Sequence, residues 1–367
     1  MRKWNFCAGP AVISEQVLSE VKDELLEWGD SGMSIMEMSH RSKIYDGVAV
    51  DAKQDFIDIL NVPSSHEVLF LQGGATHQFS MVPLNFAHNN NADYVLSGSW
   101  SKKAIAEASK LINVNTIASS ENYGFSYAPS EEDWKYSEDS AYVHYCPNET
   151  IQGVAIHKAP DINNHLIADM SSVILSEPLD VSKFSLIYAG AQKNIGPAGL
   201  TMVIIKKDLM ELENENLPNI LRYSKHSESD SMLNTPPTFA WYMAGKVFKW
   251  IKQSGGLEFF KEQNHLKAST LYNYIDNSEF YSNPVKIENR SIMNVPFILA
   301  DNDLDSVFLK ESEGNGLLNL KGHRSVGGMR ASIYNAMPLE GINELVDFMK
   351  VFEAKSVSYT HPPSPRD

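Results

Sequence analysis

Cysteine is scarce, basic residues are outnumbered, and no stretch is apolar for long enough to cross a membrane. The chain of 367 residues has two cysteines, Cys7 and Cys146, with no metal-ligand spacing between them. Two isolated thiols in a chain this long point to a reducing compartment and exclude a disulfide scaffold. Lys and Arg total 31 against 46 Asp and Glu, a formal charge of −15. That balance argues against nucleic acid and against an anionic membrane as partners. No run approaches the roughly 18 apolar residues of a spanning helix. Residues 1–10 hold no apolar signal-peptide core, so a cytoplasmic location is expected. In that compartment the glycosylation match Asn148-Glu149-Thr150 carries no weight. The 11 histidines include no HExxH-type pair, which disfavours a metal hydrolase.

What is present is ordinary for a globular protein, with 43% hydrophobic and 21% charged residues. The length suits two domains. Residues 1–13, with the turn signal Gly9-Pro10, read as an extended arm. Val17, Leu18, Val21, Leu25 and Leu26 recur at helical spacing behind Ser14, a candidate N-cap. A second amphipathic helix is expected over 46–60. Short apolar runs then alternate with helical stretches, the strands falling at 67–71, 94–96, 112–117, 142–145, 166–168, 186–189 and 200–205. Continuous apolar strands between helices predict an α/β fold with a mostly parallel central sheet covered on both faces.

Pro236-Pro237 opens a long helix that Gly255-Gly256 stops, and the domain boundary is placed there. The large domain is thus 14–255. A smaller α+β C-terminal domain follows over 256–355, with helices near 256–276 and 338–355 and strands near 294–299 and 329–334. The Ser/Pro-rich tail, 356–367, is expected to fray.

One lysine stands out. Lys193 lies on a loop with Gly190, Gly196, Pro197 and Gly199, between the strands 186–189 and 200–205. A lysine kept near apolar surroundings loses solvation, so its pKa falls and its amine can act as nucleophile or base. Asp169 ends the strand before, at the sheet edge where open α/β folds bind ligands. This pairing suits pyridoxal phosphate, with the lysine bonded to the cofactor and the carboxylate beside its pyridinium nitrogen. Gly73-Gly74-Ala75-Thr76 follows a strand and opens a helix, as a phosphate cradle does. Trp100 could stack on the ring and Thr150 could donate to its phenolic oxygen. Gln192, Asn234 and Thr235 could reach phosphate oxygens. Each of these residues has a plain structural use as well, and none decides the matter singly.

The motifs Asn5-Phe-Cys-Ala-Gly-Pro-Ala11, Ser39-His-Arg41, Gly73-Gly-Ala-Thr-His-Gln-Phe79, Gly190-Ala-Gln-Lys-Asn-Ile-Gly-Pro-Ala-Gly199, Asn234-Thr-Pro-Pro-Thr-Phe239 and Gly322-His-Arg-Ser-Val-Gly-Gly-Met-Arg-Ala-Ser332 occur in this order. Together they resemble the phosphoserine aminotransferase family, class V of the fold-type I PLP-dependent transferases. The resemblance runs from residue 5 to about 335.

It implies that Lys193 holds pyridoxal 5′-phosphate covalently, Asp169 its ring nitrogen, Trp100 its face and Thr150 its phenolic side. Ala75, Thr76 and Gln192 would bind the phosphate, with Asn234 and Thr235 reaching it from the partner subunit of a homodimer. Arg330 would take the substrate α-carboxylate, and His40, Arg41, His323 and Arg324 the distal anion. The implied substrates are L-glutamate and a phosphorylated keto acid, 3-phosphohydroxypyruvate, in serine biosynthesis. Acceptance of 4-phosphohydroxythreonine, on the route to pyridoxine, is left open. Two His-Arg pairs and a further Arg in so acidic a chain fit an anion site independently. Many bacterial members carry Arg where this chain has Thr76, a lost cation that His77 could partly replace. The rivals are another class V enzyme such as a cysteine desulfurase, which needs a mobile nucleophilic Cys, and a non-catalytic binding protein of the same fold.

Overall fold

A computed structural model describes residues 2–87 and 90–360. Its centre is a seven-stranded sheet. In spatial order the strands are His66–Leu71, Thr201–Lys206, Leu186–Gly190, Leu166–Asp169, Val143–Tyr145, Asn91–Leu96 and Asn113–Ser119. Every pair is parallel except the two that Thr201–Lys206 makes, which are antiparallel. The physical reason is the short loop 191–200, which has no room for a crossover helix, so the chain must double back.

Side chains alternate between the two faces. Val68, Phe70, Ile187, Ala189, Met202 and Ile204 pack on one side with the helices Lys43–Leu60 and Thr238–Gln253. Leu69, Leu71, Leu186, Tyr188, Val203 and Ile205 pack on the other with Gly74–Phe86 and Ser99–Ala108. Each fully buried aliphatic side chain stabilises by roughly 1.5–3 kcal/mol, so a one-residue slip of any strand would reverse both faces at once.

A third core is built from Phe6 and from residues between Ala268 and Phe352. Its strands Tyr281–Ser282, Asn294–Leu299 and Met329–Ser332 form an antiparallel sheet against the helices Gly256–Asp276 and Leu339–Thr360. The N-terminal arm joins this core, since Trp4 and Asn5 pair with Leu317 and Leu318.

Three details depart from expectation. Ser14 stands at the N-cap of Glu15–Glu24, but its hydroxyl makes no capping bond. The helix expected over 46–60 starts earlier, at Lys43, because Ser42 accepts from the Tyr45 N–H and caps it. The last helix continues to Thr360, so the expected tail begins inside it, and residues 361–367 lie outside the described residues.

Candidate active site

The six mutually parallel strands all end at one edge of the sheet. Thr201 has Leu71 on one side and Gly190 on the other, which brings the Gly73 turn beside the Lys193 loop. A Cβ built on Gly190 would lie 2.9 Å from Gln192 Oε1 and 3.6 Å from the Ala75 N–H. Ala75, Gly190 and Gln192 therefore meet at the N-terminus of Gly74–Phe86, where unpaired N–H groups and the helix dipole attract an anion. Gly73 has φ 91°, and a Cβ there would strike the His77 ring at 2.6 Å. Both backbone and space demand glycine at that position.

Lys193 is nearly buried, and its Nζ donates to Thr150 Oγ1 at 2.8 Å. The same Nζ lies 5.8 Å from the centre of the Trp100 ring. Burial drives its pKa down to about 8, against the opposing pull of Asp169, Cys146 and Glu149, while Arg330 pushes it further down. The amine is thus neutral far more often at physiological pH than an ordinary lysine.

Asp169 is also buried; its Oδ1 accepts from Ser171 N at 3.0 Å and from Ser171 Oγ at 2.6 Å. Burial raises its pKa, and the two Ser171 bonds and Lys193 oppose the rise. Ser171 Oγ in turn accepts from the Gly190 N–H at 3.0 Å, locking the two neighbouring strand ends together.

Arg330 approaches from the strand Met329–Ser332. Its Nη1 donates to the Thr150 carbonyl at 3.3 Å, while its buried Nε has no partner among the described residues. The buried indole Nε1 of Trp100 is unpartnered in the same way. Buried donors left unpaired cost free energy, and a ligand that accepts from them recovers it. Around His323, burial and the cations Arg330, Lys103 and Arg324 hold the imidazole pKa down. Its perturbing neighbours are all positive, as an anion site requires.

The remaining candidates stand apart. Thr76 is exposed at the first turn of Gly74–Phe86. Asn234 and Thr235 are exposed next to the Gly73 turn, where the Thr235 carbonyl accepts from Gln72 at 3.1 Å. No hydrogen bond or ion pair among the described residues brings His40 and Arg41 to Arg330, although His40 Nε2 is buried without a partner. Cys146 is buried beside Asp169 and Lys193, with its thiol pKa pushed well up by burial and by the nearby carboxylates. A protonated, immobile thiol is no desulfurase nucleophile.

Sequence reasoning passed over Ser171 and Glu149. Ser171 sits two residues beyond Asp169, and that spacing was the available signal. Glu149 was legible only as the centre of a glycosylation match.

Comparison with known proteins bears on this geometry. The sequence model described as "Aminotransferase class-V" matches residues 3–345. A phosphoserine aminotransferase of Hahella chejuensis is 54% identical over 357 residues, covering 97% of this chain and 99% of that one. The phosphoserine aminotransferase structure from Bacillus circulans subsp. alkalophilus superposes with a TM-score of 0.95 at 44% identity, covering 97% of this chain and 99% of that one. A PLP-bound phosphoserine aminotransferase from Trichomonas vaginalis superposes with a TM-score of 0.91 at 41% identity, covering 95% and 100%. The chain belongs to the class-V aminotransferases.

Proposed function

We propose that the chain catalyses the phosphoserine aminotransferase reaction. It moves the amino group between L-glutamate and 3-phosphohydroxypyruvate, giving O-phospho-L-serine and 2-oxoglutarate, with pyridoxal 5′-phosphate as cofactor. The observation that carries this reading is the meeting of a lysine of lowered pKa, a buried carboxylate and an arginine with an orphaned buried Nε at one sheet edge. The near full-length likeness to phosphoserine aminotransferases supports the choice of substrate.

The residues fit the cofactor. The Ala75–Gly190–Gln192 cradle, with Thr76 beside it, suits a phosphate, and Asn234 and Thr235 of a partner subunit would complete it. Trp100 supplies a ring face, and Asp169 an acceptor for a protonated pyridine nitrogen. Asp169 Oδ1 is engaged by Ser171, and its Oδ2 has no hydrogen-bond donor among the described residues. Bound there, pyridoxal phosphate supplies an electron sink that lets an amino acid lose its α-proton.

The protein's own groups do the rest. Lys193 Nζ, with its pKa near 8, is neutral often enough to attack a carbonyl and to take the α-proton, then to return it two bonds away, across the amino nitrogen. Thr150 Oγ1 holds that amine in place between transfers. Arg330 meets the α-carboxylate through its fork, which fixes the α-carbon over Lys193. His323 and Arg324, with His40 and Arg41, would hold the distal carboxylate or phosphate. Both substrates carry two or more negative charges, which suits this count of cations.

The same reading includes a homodimer, a cytoplasmic location and a division into 14–255 and 256–355. Among the described residues no helix is long and apolar enough to cross a membrane. The test is amino-group exchange between glutamate and 3-phosphohydroxypyruvate, with Lys193→Ala as control. The wild type should make phosphoserine, and the variant should lose at least about 10³-fold in rate. Exchange with cysteine alone, or with no amino acid, would sink the reading.

A further inference from the structure

Glu149 has no exposed surface, and no lysine or arginine pairs with it among the described residues. A buried carboxylate needs some other source of support. It finds three donors at the start of the helix Ser99–Ala108. Oε2 accepts from Trp100 N at 2.8 Å, and Oε1 accepts from Ser101 N at 2.9 Å and Ser101 Oγ at 2.6 Å. These N–H groups would be orphans at a helix start, and the positive end of the dipole favours the charge. Burial raises the Glu149 pKa, and the three bonds oppose the rise.

The neighbourhood is built for this carboxylate. Gly98 has an extended backbone that any residue could adopt, yet a Cβ there would lie 2.4 Å from Glu149 Cγ and Cδ. Glycine at that position makes room for the side chain. Asn148–Glu149 pairs with Val154–Ala155, which fixes the backbone on the other side. Gln152 adds a second clamp, accepting from Ser99 N at 3.1 Å and donating to Ser99 Oγ at 2.7 Å.

The consequence lies in what the two clamped segments carry. Glu149 precedes Thr150, whose hydroxyl takes the Lys193 bond, and it grips the backbone of Trp100, whose ring stands over Lys193. We propose that Glu149 is a positioning residue that sets the spacing of Trp100 and Thr150 about Lys193. This rests on the reading that Trp100 and Thr150 bound the cofactor. Glutamine could not replace it, because its amide nitrogen would face a backbone N–H where an acceptor is needed.

The test uses full-length enzyme, first stripped of cofactor and then reloaded. Cofactor binding is followed by quenching of tryptophan fluorescence, and turnover by kcat and KM. E149Q should weaken cofactor binding about tenfold and lower kcat by on the order of 10²-fold, the effect of a misplacement near 1 Å. Added to a W100A/T150A background, E149Q should cost less than about threefold more, since its route of action is gone. S101A removes one of the three bonds and should move both readouts in the same direction by a smaller factor, which keeps the idea testable if E149Q does not fold. Wild-type cofactor binding and kcat in E149Q, or in S101A if E149Q does not fold, would overturn the proposal, as would losses that multiply in the combined variant. If the wild type itself binds no cofactor, the reading of the site fails, not the role of Glu149 within it.

Discussion

The backbone N–H of Asn335 donates to the side-chain oxygen of Asn194 at 3.0 Å, tying the turn beyond Arg330 to the neighbour of Lys193. Further amides extend the tie. Asn194 donates to the Ile174 carbonyl at 3.0 Å, Asn335 to the Leu175 carbonyl at 2.8 Å, and Asn264 to Asn335 Oδ1 at 2.8 Å. From the far side Lys267 Nζ donates to the carbonyls of Ile333, Tyr334 and Met337 at 2.8–3.0 Å. Arg330 and Lys193 sit on separate cores, and this buried polar seam ties their two segments together.

Asn194→Ala should expose that dependence. It strands the Asn335 N–H and the Ile174 carbonyl in a buried place, at a cost of about 3 kcal/mol for the two groups. Urea unfolding should show the loss. Steady-state kinetics should show a higher KM for glutamate, because Arg330 is released relative to Lys193. An unchanged KM would mean that the seam serves stability alone.

The lowered Lys193 pKa sets a pH profile. The neutral amine is the reactive form, so capture of pyridoxal phosphate by cofactor-free enzyme should rise with pH and level off above about 8. An ordinary lysine would still be gaining rate near about 10.4. Asp169 pulls the Lys193 pKa up, so Asp169→Asn should move the midpoint below that of the wild type. A midpoint that rises in this variant would contradict the charge assignment.

Ser171 governs the opposite limb. Its bonds hold the Asp169 pKa below where burial alone would put it. Ser171→Ala removes the 2.6 Å hydroxyl bond, so the Asp169 pKa should rise and the acid limb of kcat should move to higher pH. Activity well above that limb should fall by no more than several-fold, since the carboxylate is ionised there. A pH profile superimposable on the wild type would show that Ser171 does not tune Asp169.

Much of this was legible from local pattern. The helix expected near 256–276 is found at Gly256–Asp276, where paired glycines and a helical apolar stripe leave little freedom. Asp169 and Lys193 could be placed at strand ends because apolar runs mark buried strands so plainly. The reversal of Thr201–Lys206 was hidden, because an apolar run carries no direction. Glu149 and the asparagine seam were hidden for another reason. The bonds of Glu149 and Asn335 join residues about 50 to 160 positions apart in sequence, as in Glu149–Ser101 and Asn335–Leu175, and such pairs leave no periodic trace.

The most direct measurement is the absorbance spectrum of the purified protein loaded with pyridoxal phosphate, before and after adding amino donors. The account predicts a visible band near about 410 nm that gives way to one near about 330 nm with either L-glutamate or O-phospho-L-serine. Lys193→Ala should abolish the change. A wild-type protein without the band, or one whose band responds to cysteine and to neither of these donors, would contradict the central claim.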